Sequence, residues 1–339
     1  MNAQTSLVPV ILLTGFLGSG KTTMLRSLLA YPDMSGSAVI INEFGEIGID
    51  HLLVDSPVLE PVLLPNGCLC CTSRGQLSTS LQELADKDAF KDIQRVFVET
   101  TGLADPIPLL QGLATDLPVS ERFRLGGVVT TVDCINGAAT LATYEEAVCQ
   151  VAIADRLLIT KTDLASPEVQ TELKRRVSSI NPGTQAIEII SGAIEPRDIA
   201  GLSLHDAITT GVDVGRWVGV DAPLSRQHHV HGRRIGTFHI VRDRPLPWAA
   251  FVNWMETLAN VRGEDLLRVK GILNIAEWPD EPVVIHGVQH VFHPPVRLRA
   301  WPDKDRRTRI VFITRGLGRE TIETTLHLLD GYRSAASCM

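Results

Sequence analysis

The sequence predicts an α/β protein whose first domain holds a mainly parallel sheet and whose second, smaller domain is of the α+β class. Three observations predict this fold. Short apolar runs alternate with helical periodicity through the first two-thirds of the chain, as in parallel sheets, whose strands need long crossover connections. Around residues 201–232 the alternation gives way to polar residues, glycines and prolines. A further block of strand-like and helical segments follows, and 339 residues suit two cores better than one.

The individual elements follow from local patterns, taken in chain order. In the first domain we predict strands at Val8–Leu13, Ala38–Ile41, Arg95–Val98, Gly127–Val132, Arg156–Ile159 and Gln185–Ile190. Helical periodicity lies at Lys21–Tyr31, Gln76–Leu84, Glu145–Ala154 and Pro167–Ile180. In the second block we predict strands at Ile235–Val241, Leu267–Ala276, Val283–His290 and Arg309–Thr314, and helices near Trp248–Val261 and Glu320–Leu329. The predicted domains are residues 1–205, a linker at 206–232 with a short histidine cluster, and 233–333, with a largely antiparallel sheet.

Composition narrows the class of protein. A hydrophobic content of 44% with 21% charged residues is ordinary for a soluble globular chain, and the net charge of −7 argues against a nucleic-acid partner. No apolar run approaches the roughly 20 residues of a membrane span, and the first apolar run lacks the basic flank of a signal peptide. Three of the six cysteines crowd into residues 68–71, unlike a disulfide framework. We therefore expect a cytoplasmic protein without a membrane partner.

The first chemical motif is Gly15–Thr22, which matches G-x-x-x-x-G-K-[ST] directly after a predicted strand and before a predicted helix. Its glycines let successive backbone N–H groups point at phosphate oxygens, Lys21 supplies a charge for the β- and γ-phosphates, and the Thr22 hydroxyl suits Mg²⁺. The alternative is a glycine-rich turn with a chance lysine. The motif predicts a P-loop NTPase domain. Its predicted nucleotide-binding residues are Gly15, Gly18, Ser19, Gly20, Lys21, Thr22 and Thr23.

The predicted strand at Arg95–Val98 is followed by Glu99-Thr100-Thr101-Gly102. An acidic residue at this place can hold Mg²⁺ beside the phosphate loop, and Gly102 allows backbone to approach a γ-phosphate. The alternative is a solvated acidic residue at a strand end. We predict that Lys21, Thr22 and Glu99 are the catalytic residues.

A base-recognition motif follows a later strand, as Thr160-Lys161-Thr162-Asp163. The Asp163 carboxylate can accept both hydrogen bonds that guanine N1–H and N2–H₂ offer, which adenine cannot supply as a pair. The stem of Lys161 can pack on the base, and Ser191 follows the next strand, where a loop could close over the guanine edge. The alternative is a simple helix N-cap. We expect guanine as the base, with Thr160, Lys161, Asp163 and Ser191 at the base; Gly102 is a further predicted nucleotide-binding residue, at the γ-phosphate.

Cys68, Cys70 and Cys71 form the least expected motif, Gly-Cys-x-Cys-Cys. If the segment is an extended turn, Cys68 and Cys70 face the same side and Cys71 can swing round beside them. Three thiolates suit Zn²⁺ or Cu(I), with Co²⁺ or Ni²⁺ as alternatives, and an open fourth position suits a metal that is passed on. The other interpretations are buried inert cysteines or a redox pair.

Two further groups could bind metal. Glu43 and Glu46 lie in Asn42–Asp50, after the second predicted strand, and either could contact Mg²⁺ or complete the thiolate site. His228, His229 and His231 are close enough in sequence to capture a metal loosely. For both groups, solvated polar side chains are the alternative.

These motifs resemble those of the CobW-like GTPases, P-loop metallochaperones related to the nickel-insertion GTPases of urease and hydrogenase assembly. The matching segments are Gly15–Thr23, Asn42–Glu46, Gly67–Cys71, Glu99–Gly102, Gln150, Asp155, Thr160–Asp163 and Arg268–Leu273. The resemblance implies GTP/GDP bound with Mg²⁺, with Thr22 and Glu43 at Mg²⁺, Glu99 at the Walker B position, and Lys161 and Asp163 at guanine. The chain departs from the family pattern where Thr160 replaces the commonest asparagine, and its histidine tract is short.

The resulting hypothesis is a GTPase that binds a transition metal, most simply Zn²⁺, and delivers it to a client metalloprotein. Bound GTP would order the segments that flank the cysteines, so that hydrolysis reshapes the metal site. Slow intrinsic hydrolysis is expected, because no water-positioning glutamine or arginine finger is evident. A cobalt chaperone of cobalamin synthesis, a nucleotide-bound metal sensor and a P-loop kinase are the rivals. We leave open whether the protein acts as a homodimer.

Overall fold

The computed structural model describes residues 7–41, 62–63, 69–199, 202, 217–218, 228–230 and 233–331. The chain divides into two compact units. The first comprises Met1–Lys174 with Gln185–Ser203, and the second comprises Arg175–Thr184 with Leu204–Met339. Most of the predicted linker at 206–232 lies outside the described residues, so the boundaries at 205 and 233 stay predictions.

The first unit is built on a seven-stranded sheet in which every pairing is parallel. Its strands are β1 (Val8–Gly15), β2 (Ser37–Ile41), β3 (Val62–Leu63), β4 (Arg95–Glu99), β5 (Phe123–Asp133), β6 (Arg156–Thr160) and β7 (Gln185–Ile189), in the spatial order β3-β2-β4-β1-β5-β6-β7. The predicted parallel α/β fold is confirmed. β1 is central and buried from Val10 onward, as expected of a strand covered by helices on both faces.

Helices connect these strands. They are α1 (Lys21–Leu29), α2 (Leu69–Ala85), α3 (Ile107–Thr115), α4 (Leu117–Ser120), α5 (Gly137–Thr143), α6 (Glu145–Ile153), α7 (Pro167–Ile180) and α8 (Pro196–Ile199). α7 has the bounds that periodicity predicts. The helix predicted from Gln76 begins instead at Leu69, because Leu69 continues the helical spacing of Leu77 and Leu81.

The early start of α2 corrects the prediction for the cysteine motif. Cys70 and Cys71 lie in the first turn of a helix, and the extended turn expected for them is wrong. Cys68 lies outside the described residues, and so do the side chains of Cys70 and Cys71. The thiolate site itself remains a prediction.

The carboxyl ends of the parallel strands gather the motifs at one edge of the sheet. The strand order reverses on the two sides of β1, and such a switch point is where open α/β sheets bind ligands. The paired residues at this edge are Ile41 with Glu99, Gly15 with Thr131, Asp133 with Thr160, and Thr160 with Ile189. Segments far apart in sequence therefore leave the sheet side by side.

The second unit holds an antiparallel sheet, as predicted. Its strands are β8 (His228–Val230), β9 (Arg233–Arg242), β10 (Leu266–Leu273), β11 (Val283–Val288), β12 (Val291–Phe292), β13 (Val296–Arg297) and β14 (Thr308–Arg315), with helices α9 (Trp248–Arg262) and α10 (Arg319–His327). One core cluster includes Phe251, Trp254, Leu273, Phe312 and Ile322. Within the part of the chain that the structure describes, no helix is long and apolar enough to cross a membrane.

The carboxyl-terminal end of the predicted linker forms a β-strand, which was not expected. His228–Val230 forms strand β8, which pairs with β9 so that Val230 lies opposite Arg233. Only two residues, His231 and Gly232, separate these strands, which is the spacing of a tight hairpin. His228 and His229 therefore belong to the sheet of the second unit, whereas their side chains and all of His231 lie outside the described residues.

Candidate functional site

The loop between β1 and α1 has the backbone that phosphate binding requires. Gly15, Gly18 and Gly20 have φ values of 141°, 68° and 91°, in the region that side chains with a Cβ avoid. A Cβ on Gly15 would lie 2.8 Å from the Ser19 hydroxyl oxygen, so this close approach also excludes a larger residue. The helix that follows starts at Lys21, so its free N–H groups face the same concavity.

Lys21 lies inside the curve of this loop. Its ammonium donates hydrogen bonds to the carbonyl oxygens of Gly15 at 2.8 Å and Phe16 at 3.2 Å, and the residue is buried. The loop carbonyls thus hold the charge at the centre of the anion-binding concavity. The geometry fits the predicted role of Lys21 toward phosphate oxygens.

Thr22 and Glu99 meet at the carboxyl end of β4. The Thr22 hydroxyl donates to Glu99 Oε1 over 2.6 Å, and Glu99 is buried with 5% exposure. A buried carboxylate is costly unless cations or hydrogen bonds compensate its charge. Hydroxyl and carboxylate oxygens are the ligands that Mg²⁺ prefers, so this pair fits a Mg²⁺ site. The structure brings together two of the residues predicted to be catalytic, with Lys21 next to Thr22 in sequence.

The segment after Glu99 follows the end of β1 and then touches the phosphate loop. The Thr100 amide donates to the Leu13 carbonyl oxygen over 2.9 Å, and the Thr100 hydroxyl donates to the Thr14 hydroxyl over 3.0 Å. Gly102 packs so closely that a Cβ there would lie 2.6 Å from Leu17 Cα. The glycine is needed because only bare backbone fits against the loop.

Thr160 connects the base motif to the phosphate loop. Its hydroxyl donates to the Ser19 carbonyl oxygen over 2.8 Å, and Ser19 Oγ is hydrogen-bonded to Thr131 Oγ1 at 2.7 Å. Threonine in place of asparagine therefore still supplies a donor that holds the loop. The end of β6, the end of β5 and the loop form one hydrogen-bonded unit.

Lys161 is held by an acidic residue that the sequence analysis did not single out. Its backbone is left-handed, with φ of 57°, and its ammonium lies 2.8 Å from Asp133 Oδ2. Burial acts to raise the pKa of the Asp133 carboxyl, but the hydrogen bond from Lys161 and bonds from the following turn outweigh it, and the net pKa lies below its ordinary value. The position of Asp133 at a strand end, on the edge where ligands collect, is the signal that could have found it.

Asp163 lies in a single 3₁₀ turn, Thr162–Leu164, and is exposed to solvent. Gln170 on α7 fixes this turn by donating from its side-chain amide to the carbonyl oxygens of Thr162 at 2.9 Å and Ala165 at 3.1 Å. The sequence offered no signal for Gln170, because its partners are backbone atoms. The arrangement leaves the Asp163 carboxylate able to accept hydrogen bonds from a base.

The loop after β7 lies beside the start of α1. Ser191 and Gly192 have φ values of 52° and 75°, and a Cβ on Gly192 would lie 2.9 Å from the Thr23 carbonyl oxygen. Ser191 is exposed. Ser191 and Thr23, both predicted to bind nucleotide, are thereby placed at the same edge.

The remaining candidate ligands are not tested by the geometry. Glu43, Glu46, Cys68 and His231 lie outside the described residues. Among the residues that are described, no group of three or more histidine, cysteine, aspartate or glutamate residues could hold a metal ion. The isolated cysteines Cys134 and Cys149 are buried and form no disulfide bond.

Comparison with known families matches both parts of the chain. Residues 9–188 match the model of the CobW/HypB/UreG nucleotide-binding domain, and residues 235–329 match the cobalamin synthesis protein CobW C-terminal domain. Among curated proteins, the chain is 33% identical to the zinc chaperone YjiA of Escherichia coli, over 93% of this chain and 96% of that protein. It is 30% identical to the zinc-regulated GTPase metalloprotein activator 1 of Schizosaccharomyces pombe, over 92% of this chain and 83% of that protein.

Solved structures give the same picture of the fold. The zinc-bound YjiA GTPase from Escherichia coli superimposes with a TM-score of 0.65 at 25% identity, covering 96% of this chain and 99% of that one. A zinc-bound triple mutant of the YjiA GTPase superimposes with a TM-score of 0.69 at 26% identity and the same coverage. The likeness extends over both units of the chain.

Proposed function

Because the chain belongs to the CobW family of nucleotide-binding proteins, as its motifs indicated, we propose that it is a GTP-hydrolysing metallochaperone that delivers zinc to a client metalloprotein. The observation that carries the proposal is the gathering of the phosphate loop, Glu99 and the base motif at one edge of the sheet. Two relatives are named for zinc, one as a chaperone and one as a GTPase metalloprotein activator.

In this proposal the nucleotide occupies the edge described above. Loop N–H groups and Lys21 bind the β- and γ-phosphates, and Thr22 and Glu99, with Glu43, provide oxygen ligands for Mg²⁺. When bound, Mg²⁺ neutralises charge on the β- and γ-phosphate oxygens. Lys21 and the loop amides stabilise the charge that spreads over the γ-phosphoryl group while water attacks it in line.

Guanine is selected at the far end of the same edge. Asp163 accepts hydrogen bonds from N1–H and N2–H₂ of the base, and the stem of Lys161 lies along it while Asp133 holds the ammonium. Ser191 closes over the base from the loop after β7. An adenine nucleotide leaves the Asp163 carboxylate facing an acceptor, which is strongly disfavoured.

The metal is cargo, held in the proposal by Cys68, Cys70 and Cys71. Two observations support a site near the nucleotide: Cys70 and Cys71 lie in the first turn of α2, and α2 follows β3 at the carboxyl edge of the sheet. Thiolates favour Zn²⁺, and Co²⁺ or Ni²⁺ are the alternatives. Glu46 and the cluster His228, His229 and His231 remain proposed additional ligands. The proposal places the protein in the cytoplasm and includes a homodimer as one assembly state.

Three rival functions make different predictions. A P-loop kinase would pass the phosphoryl group to a small molecule, and a metal sensor would need nucleotide without turnover. A cobalt chaperone of cobalamin synthesis would prefer Co²⁺ in competition with Zn²⁺. The names of two relatives favour zinc and GTPase activity over these three.

The decisive experiment is a Zn²⁺ titration of the wild type and a Cys68/Cys70/Cys71 triple serine variant, with GDP and with a non-hydrolysable GTP analogue. We expect Zn²⁺ affinity to depend on the nucleotide in the wild type and to be lost in the variant, with reciprocal coupling to the nucleotide. Cys134→Ala, which removes a buried thiol outside the motif, is the matched control and should bind Zn²⁺ normally. Nucleotide-independent Zn²⁺ affinity, or no release of inorganic phosphate from GTP, would refute the proposal.

A further inference from the structure

Gln150, on α6, contacts the segment that follows Glu99, although it is not one of the residues proposed to bind nucleotide or metal. The residue is 1% exposed, and its side-chain amide nitrogen donates to the carbonyl oxygens of Gly102 at 3.1 Å and Ala104 at 3.2 Å. Both partners are acceptors, so the NH₂ group of the side chain must face them. Among side chains of this size, only an amide can donate two hydrogen bonds here without a charge.

The segment that Gln150 holds is the one that reaches the phosphate loop. Gly102 lies against the backbone of Leu17, and nothing larger than glycine fits there. The neighbouring Cys149 contacts the same segment, with its sulfur 3.8 Å from Asp105 Oδ1. α6 therefore touches the segment at positions 102, 104 and 105, directly behind its approach to the loop.

α6 is a rigid support for this contact. The chain that leaves its carboxyl end is fixed to β5 twice, because the Asp155 amide donates to the Val128 carbonyl oxygen and the Val128 amide donates to Asp155 Oδ2, both over 2.7 Å. Among the described residues, the side-chain oxygen of Gln150 is buried and has no hydrogen-bond partner, and Gln150 lines a partly open pocket together with Phe16, Leu17 and Ser19 of the phosphate loop. Within the described part of the chain, Gly102 and Ala104 are the two hydrogen-bond partners of this side chain, so movement of their segment removes both bonds together.

We propose that Gln150 is a positioning residue for GTP hydrolysis: it holds Gly102–Ala104 against the phosphate loop in the arrangement that meets the γ-phosphate. The inference rests on the proposed GTPase function and deepens it. Gln150 does not touch the nucleotide and acts through the backbone of the segment. Its contribution should therefore distinguish GTP from GDP, because only GTP carries the group that this segment meets.

The test compares Gln150→Met with Gln170→Met, since Gln170 makes the same pair of bonds to carbonyl oxygens but at the base turn. For Gln150→Met we expect kcat for GTP to fall about tenfold, equivalent to about 1.4 kcal/mol at 25 °C. The affinity for a non-hydrolysable GTP analogue should fall relative to GDP, while GDP affinity stays within twofold. Gln170→Met should weaken the analogue and GDP equally and leave their ratio unchanged.

Gln150→Glu adds a signature that a purely structural role would not give. At neutral pH its carboxylate would face two carbonyl oxygens and donate no bond, whereas a protonated carboxyl donates one. Its kcat, relative to that of Gln150→Met, should therefore rise as the pH is lowered from 8 to 6. This variant also decides the question if the methionine variant does not fold.

The outcomes separate this inference from the proposed function. A wild type that releases no phosphate from GTP overturns the proposed function. An active wild type with unchanged kcat and an unchanged analogue-to-GDP ratio in Gln150→Met overturns the role of Gln150 alone. An equal loss of both nucleotides in that variant does the same, because it would mean that Gln150 only supports the fold.

Discussion

Replacing Thr160 by valine tests whether a single hydroxyl joins the base motif to the phosphate loop. Valine keeps the shape of threonine and removes the donor that reaches the Ser19 carbonyl oxygen over 2.8 Å. Thr160 is 5% exposed and Ser19 is 1% exposed, so water cannot readily replace the lost bond. Removing one partner of a buried hydrogen bond costs about 1–3 kcal/mol.

We expect Thr160→Val to lower the free energy of unfolding of the first unit by about 1–2 kcal/mol. Because the same bond fixes the phosphate loop, GDP and GTP affinities should fall together, by about three- to tenfold. Thr160→Ser keeps the hydroxyl and should retain most of the nucleotide affinity. Thr160→Asn should also retain it, since an amide can donate to the same carbonyl oxygen.

The distribution of tryptophan provides an internal control for the assay. All five tryptophans lie in the second unit. In urea unfolding, tryptophan fluorescence therefore reports unfolding of the second unit, whereas circular dichroism reports unfolding of both units. Binding of fluorescent GDP reports the state of the phosphate loop. A valine variant with unchanged unfolding by circular dichroism and unchanged GDP affinity would refute the reasoning, and a shift confined to tryptophan fluorescence would contradict it as well.

Three further predictions concern other parts of the chain. Gly102→Ala places a methyl group against Leu17, so phosphate release from GTP should slow at least about tenfold. Fluorescent GDP should still bind to this variant. An unchanged rate of phosphate release would show that the close approach of Gly102 to Leu17 is unimportant for hydrolysis. Asp163→Asn offers a base one donor and one acceptor in place of two acceptors. In a competition assay, the affinity for GDP should therefore fall about 100-fold and the affinity for xanthosine diphosphate should rise. Equal losses of affinity for both nucleotides would contradict the base assignment. The hydrogen bond from Arg307 lowers the pKa of Asp305 to about 2, so the small stabilisation from this pair is present above about pH 4 and lost as the pH falls toward 2. An NMR carboxyl titration should find that pKa in the wild type and a higher one in Arg307→Gln, and a value near 4 in the wild type would refute it.

The sequence predicted the fold best where local periodicity and tertiary structure agree. α7 has the predicted bounds because Pro167 starts it and its apolar spacing is regular. Strand β3 was not predicted, since two residues carry no period and depend on pairing with β2. The start of α2 was missed because Gly75 interrupts the helical pattern before Leu77.

In the candidate site, too, some residues could be predicted from sequence motifs and others only from tertiary contacts. Lys21, Thr22 and Glu99 were predicted because spacing and strand ends define them, and the structure places Thr22 against Glu99. Gln150 and Gln170 could not be assigned these contacts from sequence, because each acts by donating to carbonyl oxygens of distant segments. Every residue has a backbone carbonyl group, so the sequence does not indicate which one accepts a hydrogen bond from a distant side chain. Such contacts can be found only in the tertiary structure.

The pairing of the short strand β3 with β2 limits the distance between the sheet and the start of α2. The chain that leaves the sheet after Ile41 returns beside it, where Leu63 pairs with Ile41, and Ile41 pairs with Glu99 on the other side. Five residues separate Leu63 from Leu69, so the six Cα–Cα steps between them span at most about 22 Å when fully extended. Two strand spacings, about 10 Å, separate Leu63 from Glu99. In the proposed function, metal bound at the start of α2 stays near the nucleotide edge because this connection is short, so we expect the protein that receives the metal to dock at that edge.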